Sequence, residues 1–223
     1  MAVALGVTLV VIRISRHYAA HTHDHASGGP QKFHVRAVPR IGGVGILAGL
    51  LAGIATLAVP QHEAARVGLI VVASGLPVVA AGLWEDLTKR VSPRHRLLIP
   101  ALSAAVAAVW LQAPITRTDL PGLDWLVGFG VGSLMLTVFT VAGVANAINI
   151  IDGFNGLASM CVVIMLMGLA YVAFDVGDPT VAWLAVAGIG AVLGFFAWNF
   201  PAGLIFLGDG GAYFLGFYVA ELS

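Results

Sequence analysis

The stretch DWLVGFGVGSLMLTVFTVAGVANAINIIDGFNGL, from Asp124 to Leu157, decides how the chain is read. No charged residue stands between Trp125 and Ala145. A helix needs roughly 20 apolar residues to cross a bilayer, and this run supplies them. Lipid offers no partner to bare N–H and C=O groups, so such a run spans as a helix. Directly after it come Asn146, Asn149, Asp152 and Asn155, with Gly153 and Gly156 among them. On a helix, Asn146, Asn149 and either Asp152 or Asn155 recur every three residues and share a face. The glycines permit a turn or a close backbone approach. Amides and a carboxylate beside lipid are costly unless they bind something. The bland alternative is a polar patch bonding one helix to another.

The rest of the chain obeys the same solvent. Of its residues 59% are hydrophobic and 10% charged, against roughly 25% charge in soluble domains. Eight apolar segments lie near 1–16, 41–60, 66–84, 97–115, 124–145, 157–174, 181–198 and 204–222. Pro60, Pro93, Pro121, Pro179 and Pro201 fall in or beside the breaks, where a helix can end without penalty. The expected fold class is all-α, a polytopic transmembrane bundle of about eight helices in one domain over 1–223. Its 28 glycines suit helices packed at short range. The apolar N-terminus lacks a basic leader and a cleavage site, so it reads as a first span rather than a signal peptide. Cys161 reads as packing.

Basic residues orient the bundle. Arg13, Arg16, Lys32, Arg36 and Arg40 border the first connection, and Lys89, Arg90, Arg94 and Arg96 the third; the even connections hold Arg66 and Arg117. By the positive-inside rule the odd connections are cytoplasmic and the N-terminus lies outside. Every polar cluster then falls on one face. Asp119, Asp124, Asp175 and Asp178 on the other face read as solvated turns. Trp84, Trp110, Trp125, Trp183 and Trp198 near span ends read as interfacial anchors.

Three more clusters carry chemistry on that face. In Phe206-Leu-Gly-Asp209-Gly-Gly211 a carboxylate flanked by glycines can reach a ligand unscreened. Hard oxygen suits Mg²⁺, which takes one or two carboxylates plus substrate phosphates. Taken alone, Asp209 reads equally well as a capping residue at a helix start. In Gly82-Leu-Trp-Glu85-Asp86-Leu-Thr-Lys89-Arg90 two acids leave an apolar helix for a basic loop. The acids can hold metal or accept a proton, and the bases can hold anions. In His34-Val-Arg-Ala-Val-Pro39-Arg40-Ile-Gly42-Gly43 a guanidinium sits beside a glycine pair whose backbone is expected to be exposed, which suits phosphate. His21, His23 and His25 read as a solvated tract rather than a metal site.

Together and in this order, these motifs resemble the polyprenyl-phosphate N-acetylhexosamine-1-phosphate transferases. The resemblance runs from about His34 to Gly216. It rests most on N-x-x-N-x-x-D-G-x-N-G-L and F-x-G-D-x-G, and less on P-R-x-G-G. It implies transfer of a HexNAc-1-phosphate from a UDP-sugar to polyprenyl (undecaprenyl) phosphate, with release of UMP. It also implies Mg²⁺ or Mn²⁺, a bacterial inner membrane with a cytoplasmic active site, and a homodimer; nucleic acid is not expected among the partners. Residue by residue, it makes Asp209 the metal ligand. It puts Asp152, Asn146, Asn149 and Asn155 at the nucleotide and catalytic centre. Asp86 and Glu85 become the catalytic pair, with Asp86 weighted above Glu85 because glutamate replaces the usual aspartate there. Lys89, His34, Arg40, Gly42 and Gly43 complete the substrate contacts. Direct attack and passage through a phospho-aspartate on Asp152 or Asp86 both remain open. Relatives continue through further helices and a His-containing loop, so a C-terminally truncated chain is expected. The competing readings are a transporter or permease, whose polar groups would sit at the bilayer midplane, and a catalytically impaired fragment of the family.

Overall fold

The structure, a computed structural model, describes residues 1–17, 38–90 and 92–223. His34 and the histidines of the first connection lie outside the described residues. In chain order the helices are α1 Ala2–His17, α2 Gly43–Leu57, α3 His62–Thr88, α4 Pro93–Leu111, α5 Leu123–Val127, α6 Gly130–Ile151, α7 Leu157–Val176, α8 Pro179–Asn199 and α9 Gly208–Glu221. The protein is an all-α polytopic bundle. Among the described residues five helices, α3, α4, α6, α7 and α8, are long and apolar enough to cross a membrane, and α1 and α2 are shorter apolar helices. Side chains such as Phe139, Ile164, Met167 and Tyr171 are exposed on the outside of the bundle, as expected where the solvent is hydrocarbon.

Three boundaries differ from the sequence reading. The segment near 66–84 runs on to Thr88, where Lys89 ends α3 in the left-handed conformation with its N–H on the Glu85 carbonyl at 2.8 Å. Glu85 and Asp86 therefore stand in the last turn of a helix and not in a loop. The segment near 124–145 is broken. The short α5 precedes α6, and a Cβ at Gly132 would overlap the Leu126 carbonyl, so only glycine lets the chain fold back there. Asp124, expected in a solvated turn, is exposed and also organises the connection before it: its Oδ1 accepts Thr118 N–H at 2.7 Å and Asp119 N–H at 3.2 Å. The last segment is helical only from Gly208. Its 14 residues give a length of about 21 Å, short of the roughly 30 Å hydrocarbon core.

That short helix is the centre of the bundle. Every residue of α9 from Gly210 to Val219 is buried. It packs chiefly on α3 and α6, while α4 bridges those two; α7, α8, α2 and α1 form a second group joined through α8 and α2. With no water to drive helices together, close approach of small residues supplies the attraction. Gly45 and Gly49 of α2 face Thr8 and Ala4 of α1, and Gly194 of α8 meets Ala4 as well. Around α9, a Cβ on Gly43 would come within 2.6 Å of the Gly211 Cα, and one on Gly216 within 2.6 Å of the Ala145 Cα. A Cβ on Gly82 would overlap the Gly210 backbone. Trp198 is also part of this packing. It donates from Nε1 to the Leu5 carbonyl at 2.9 Å, which ties α8 to α1.

Gly82→Ala is expected to wedge α3 off α9 and cost about 1–3 kcal/mol. Gly143→Ala, with nothing within 4 Å of its Cβ, is expected to be neutral or slightly stabilising. Thermal unfolding of the detergent-purified chain separates the two.

Candidate active site

Four connections meet at one end of the bundle, and the polar motifs meet with them. Asp86, in the last turn of α3, points under the start of α9. Its Oδ1 accepts the Asp209 N–H at 3.0 Å and its Oδ2 the Gly210 N–H at 3.1 Å. Gly208, with φ +77°, makes the turn into α9, and any Cβ there would press on the Asp86 carboxylate at 2.6 Å. Asp209 in turn faces the other motifs. The Asn149 amide donates to its Oδ1 at 3.3 Å. Arg40 Nη2 lies 4.0 Å from Oδ1, and Arg96 Nη1 lies 3.9 Å from Oδ2. Arg40 Nε also stands 3.8 Å from Asp86 Oδ1, and Lys89 Nζ 3.9 Å from the same oxygen. Glu85 is clamped by Arg96, whose Nη2 donates to Glu85 Oε1. A small, partly open cleft lies beside this pair, walled by Val78, Ala81, Ile99, Pro100 and Tyr213.

The asparagine motif divides its labour. Asn146 turns its amide back to the Ala142 carbonyl of its own helix at 2.8 Å. Helix α6 ends at Ile151, so Asp152 caps it and Asn155 lies in the following turn. Asn155 thus leaves the helical face that the three-residue spacing suggested. Asp152 is half-buried, just outside the spanning helix. Burial pushes its carboxyl up to about 7; Arg40 opposes the shift, and Asp209 and Asp86 add to it. That coupling places Asp152 in the same electrostatic cluster.

Gly42 and Gly43 have a different job from the expected one. Their N–H groups are not exposed to an anion. They donate to the carbonyls of Phe206 and Leu207 at 3.0 and 3.1 Å, while Phe206 N–H donates to Pro39 at 2.8 Å. The Pro-Arg-Ile-Gly-Gly motif is a backbone clasp on the loop before Asp209, and the Arg40 side chain faces Asp86 and Asp209.

Two contributors escaped sequence reading. Arg96 hides among Arg90 and Arg94 as one more interfacial charge. Its signal is its place in the first turn of α4, opposite the acids that end α3. Asn199 closes α8 and is 4% exposed. Its Oδ1 accepts the Gly156 N–H at 2.6 Å and its Nδ2 donates to the Ile205 carbonyl at 2.8 Å. It joins the turn carrying Asp152 and Asn155 to the loop that leads into α9 and Asp209.

The profile of glycosyl transferase family 4 matches residues 68–223. The chain belongs to glycosyl transferase family 4. It is 31% identical, over 99% of its own length, to a probable undecaprenyl-phosphate N-acetylglucosaminyl 1-phosphate transferase of Bacillus subtilis, and spans 60% of that protein. It is 30% identical to the phospho-N-acetylmuramoyl-pentapeptide-transferase of Rubrobacter xylanophilus, covering 96% of this chain and 68% of the relative. A Geobacillus kaustophilus protein of the latter name is 33% identical over 70% of the chain and 50% of the relative.

A divalent cation bound here would rest on Asp209 and keep free coordination positions. Among the described residues no three His, Cys, Asp or Glu side chains form a group able to hold an ion. Asp209, with Asn149 beside it, offers hard oxygen donors. That suits an ion such as Mg²⁺, which completes its shell with water and substrate phosphate.

Asn199→Ala is expected to orphan a buried N–H and a buried C=O at about 1–3 kcal/mol each, read as a fall in thermal stability. Asp152→Asn is expected to act in the opposite direction. A carboxyl with a raised folded pKa loses stability as pH climbs from its unfolded value near 4 to about 7. The variant should therefore unfold at a higher temperature than the parent at pH 8, and the gap should close towards pH 4.

Proposed function

We propose that this glycosyl transferase family 4 chain carries the catalytic face of an enzyme that transfers HexNAc-1-phosphate from a UDP-sugar to polyprenyl phosphate. The observation that carries this reading is the convergence on Asp209 of Arg40, Asn149 and Arg96, each from a different part of the chain. The names of the relatives support the same class of substrate. Arg40, Lys89, Arg90, Arg94 and Arg96 cluster in the sequence around these connections, and the positive-inside rule supports a cytoplasmic site with the N-terminus outside.

In the proposed reaction, an oxygen of the lipid phosphate attacks the phosphorus that bears the sugar. A new P–O–P link forms to the lipid. The old link to the uridine-bearing phosphate breaks, and UMP leaves with the bridging oxygen. The lipid phosphate is already ionised at neutral pH, so no residue has to remove a proton. Asp209 would hold Mg²⁺ or Mn²⁺, which would supply neutralisation of diphosphate charge and assistance to a phosphate leaving group. Arg40 and Arg96 flank Asp209 and hold phosphate oxygens as planar forks, with Lys89 as a further positive charge. Asn149, Asn155 and Asp152 line the nucleotide-sugar side. The donor is a simple UDP-HexNAc, with UDP-GlcNAc the first choice. A transporter would concentrate its polar groups at mid-membrane, whereas here they gather at helix ends.

Incubation with radiolabelled UDP-GlcNAc, undecaprenyl phosphate and Mg²⁺, followed by lipid extraction, tests the proposal. Label should enter the lipid, with UMP released in equal amount. Asp209→Asn should lower the rate roughly 100-fold or more, and Arg96→Ala by about 10-fold or more. Label that stays in the aqueous phase with UDP-GlcNAc and with UDP-MurNAc-pentapeptide contradicts it.

A further inference from the structure

We infer that Asp86 is a positioning residue for Asp209, and that it neither removes a proton nor forms a covalent intermediate. The inference rests on the proposed function and deepens it.

The first amides of a helix have no partner within the helix. They are usually met by a capping side chain just before it, but α9 begins at Leu207-Gly208 without a side-chain cap. Asp86 supplies that cap from another helix, 123 residues away in sequence, with one oxygen on each of two successive N–H groups. A carboxylate here also meets the positive end of the helix dipole. The two bonds fix the backbone at Asp209 and Gly210, and so set the direction in which the Asp209 side chain leaves it. Three glycines make the approach possible. Gly82 and Gly210 let α3 and α9 touch, and Gly208 leaves room for the Asp86 carboxylate.

The same geometry withholds Asp86 from the reaction. Its side chain is 1% exposed, against 14% for Asp209 and 31% for Arg40. Both oxygens are occupied, and the carboxylate is covered by the turn it supports. A lipid phosphate approaching from the open end meets Asp209, Arg40 and Arg96 first. Asp86→Asn keeps the shape but can offer an oxygen to only one amide and turns an N–H₂ towards the other.

Two readouts on the full chain in detergent test this. The first is Mn²⁺ affinity, measured by electron paramagnetic resonance without substrate. Asp86→Asn should weaken binding about tenfold and still saturate at high Mn²⁺, while Asp209→Asn should abolish it. The second is hydrogen–deuterium exchange over residues 207–214 in metal-free protein, which should be slow in the parent and at least tenfold faster in Asp86→Asn. A purely chemical role for Asp86 moves neither readout, and a role as direct metal ligand moves only the first. A folded Asp86→Asn protein whose Mn²⁺ affinity stays within twofold, or whose exchange is unchanged, overturns the inference. If that variant does not fold, the parent decides: fast metal-free exchange of the Asp209 and Gly210 amides overturns it, and slow exchange supports it. Failure of the parent itself to bind Mn²⁺ overturns the proposed function, and with it this role for Asp86.

Discussion

The architecture depends on the contact between the end of α3 and the start of α9. There a buried carboxylate meets two backbone amides through a gap that only glycine leaves open. Unpaired, either half would be costly: a lone carboxylate beside hydrocarbon, or bare N–H groups at a buried helix start. Paired, they satisfy each other and fix the position of the next side chain, Asp209. The central helix is short because it starts at this contact, inside the bundle, and not at the membrane surface.

Around that contact the loops are held mainly by backbone. Pro39, Gly42 and Gly43 clasp residues 206–207, and Asn199 joins the same loop to the turn after α6. The fold thus assigns its polar atoms to two tasks. Backbone groups and the buried side chains of Asp86 and Asn199 set geometry. The partly exposed side chains of Arg40, Arg96, Lys89 and Asp209 face the open end. The ion pairs among them span 3.8–4.0 Å, longer than direct hydrogen bonds.

Much of this was legible in the sequence, for identifiable reasons. Apolar runs long enough to cross a bilayer gave the bundle, and the positive-inside rule gathered the motifs on one face. Asp86, Asp152, Asn149 and Asp209 stood out because such groups are rare beside lipid. What sequence withheld was direction. The pattern around Gly42 and Gly43 marks a close backbone approach but does not say that the visitor is the chain's own loop. The run Trp84-Glu-Asp-Leu-Thr resembles the exit of a helix, yet α3 continues until Lys89 adopts the left-handed conformation. Asn146 and Asn149 share a face, but one amide is spent on its own helix. Arg96 and Asn199 matter through partners 11 and 43 residues away, which no local spacing reveals.

The central claim is that one divalent ion at Asp209 is shared between this chain and a nucleotide diphosphate. Electron–nuclear double resonance on Mn²⁺-loaded protein with UDP addresses it directly. A ³¹P hyperfine coupling to the bound manganese, lost in Asp209→Asn, is the expected result. Manganese bound without phosphorus coupling, or a coupling indifferent to that substitution, would contradict the account.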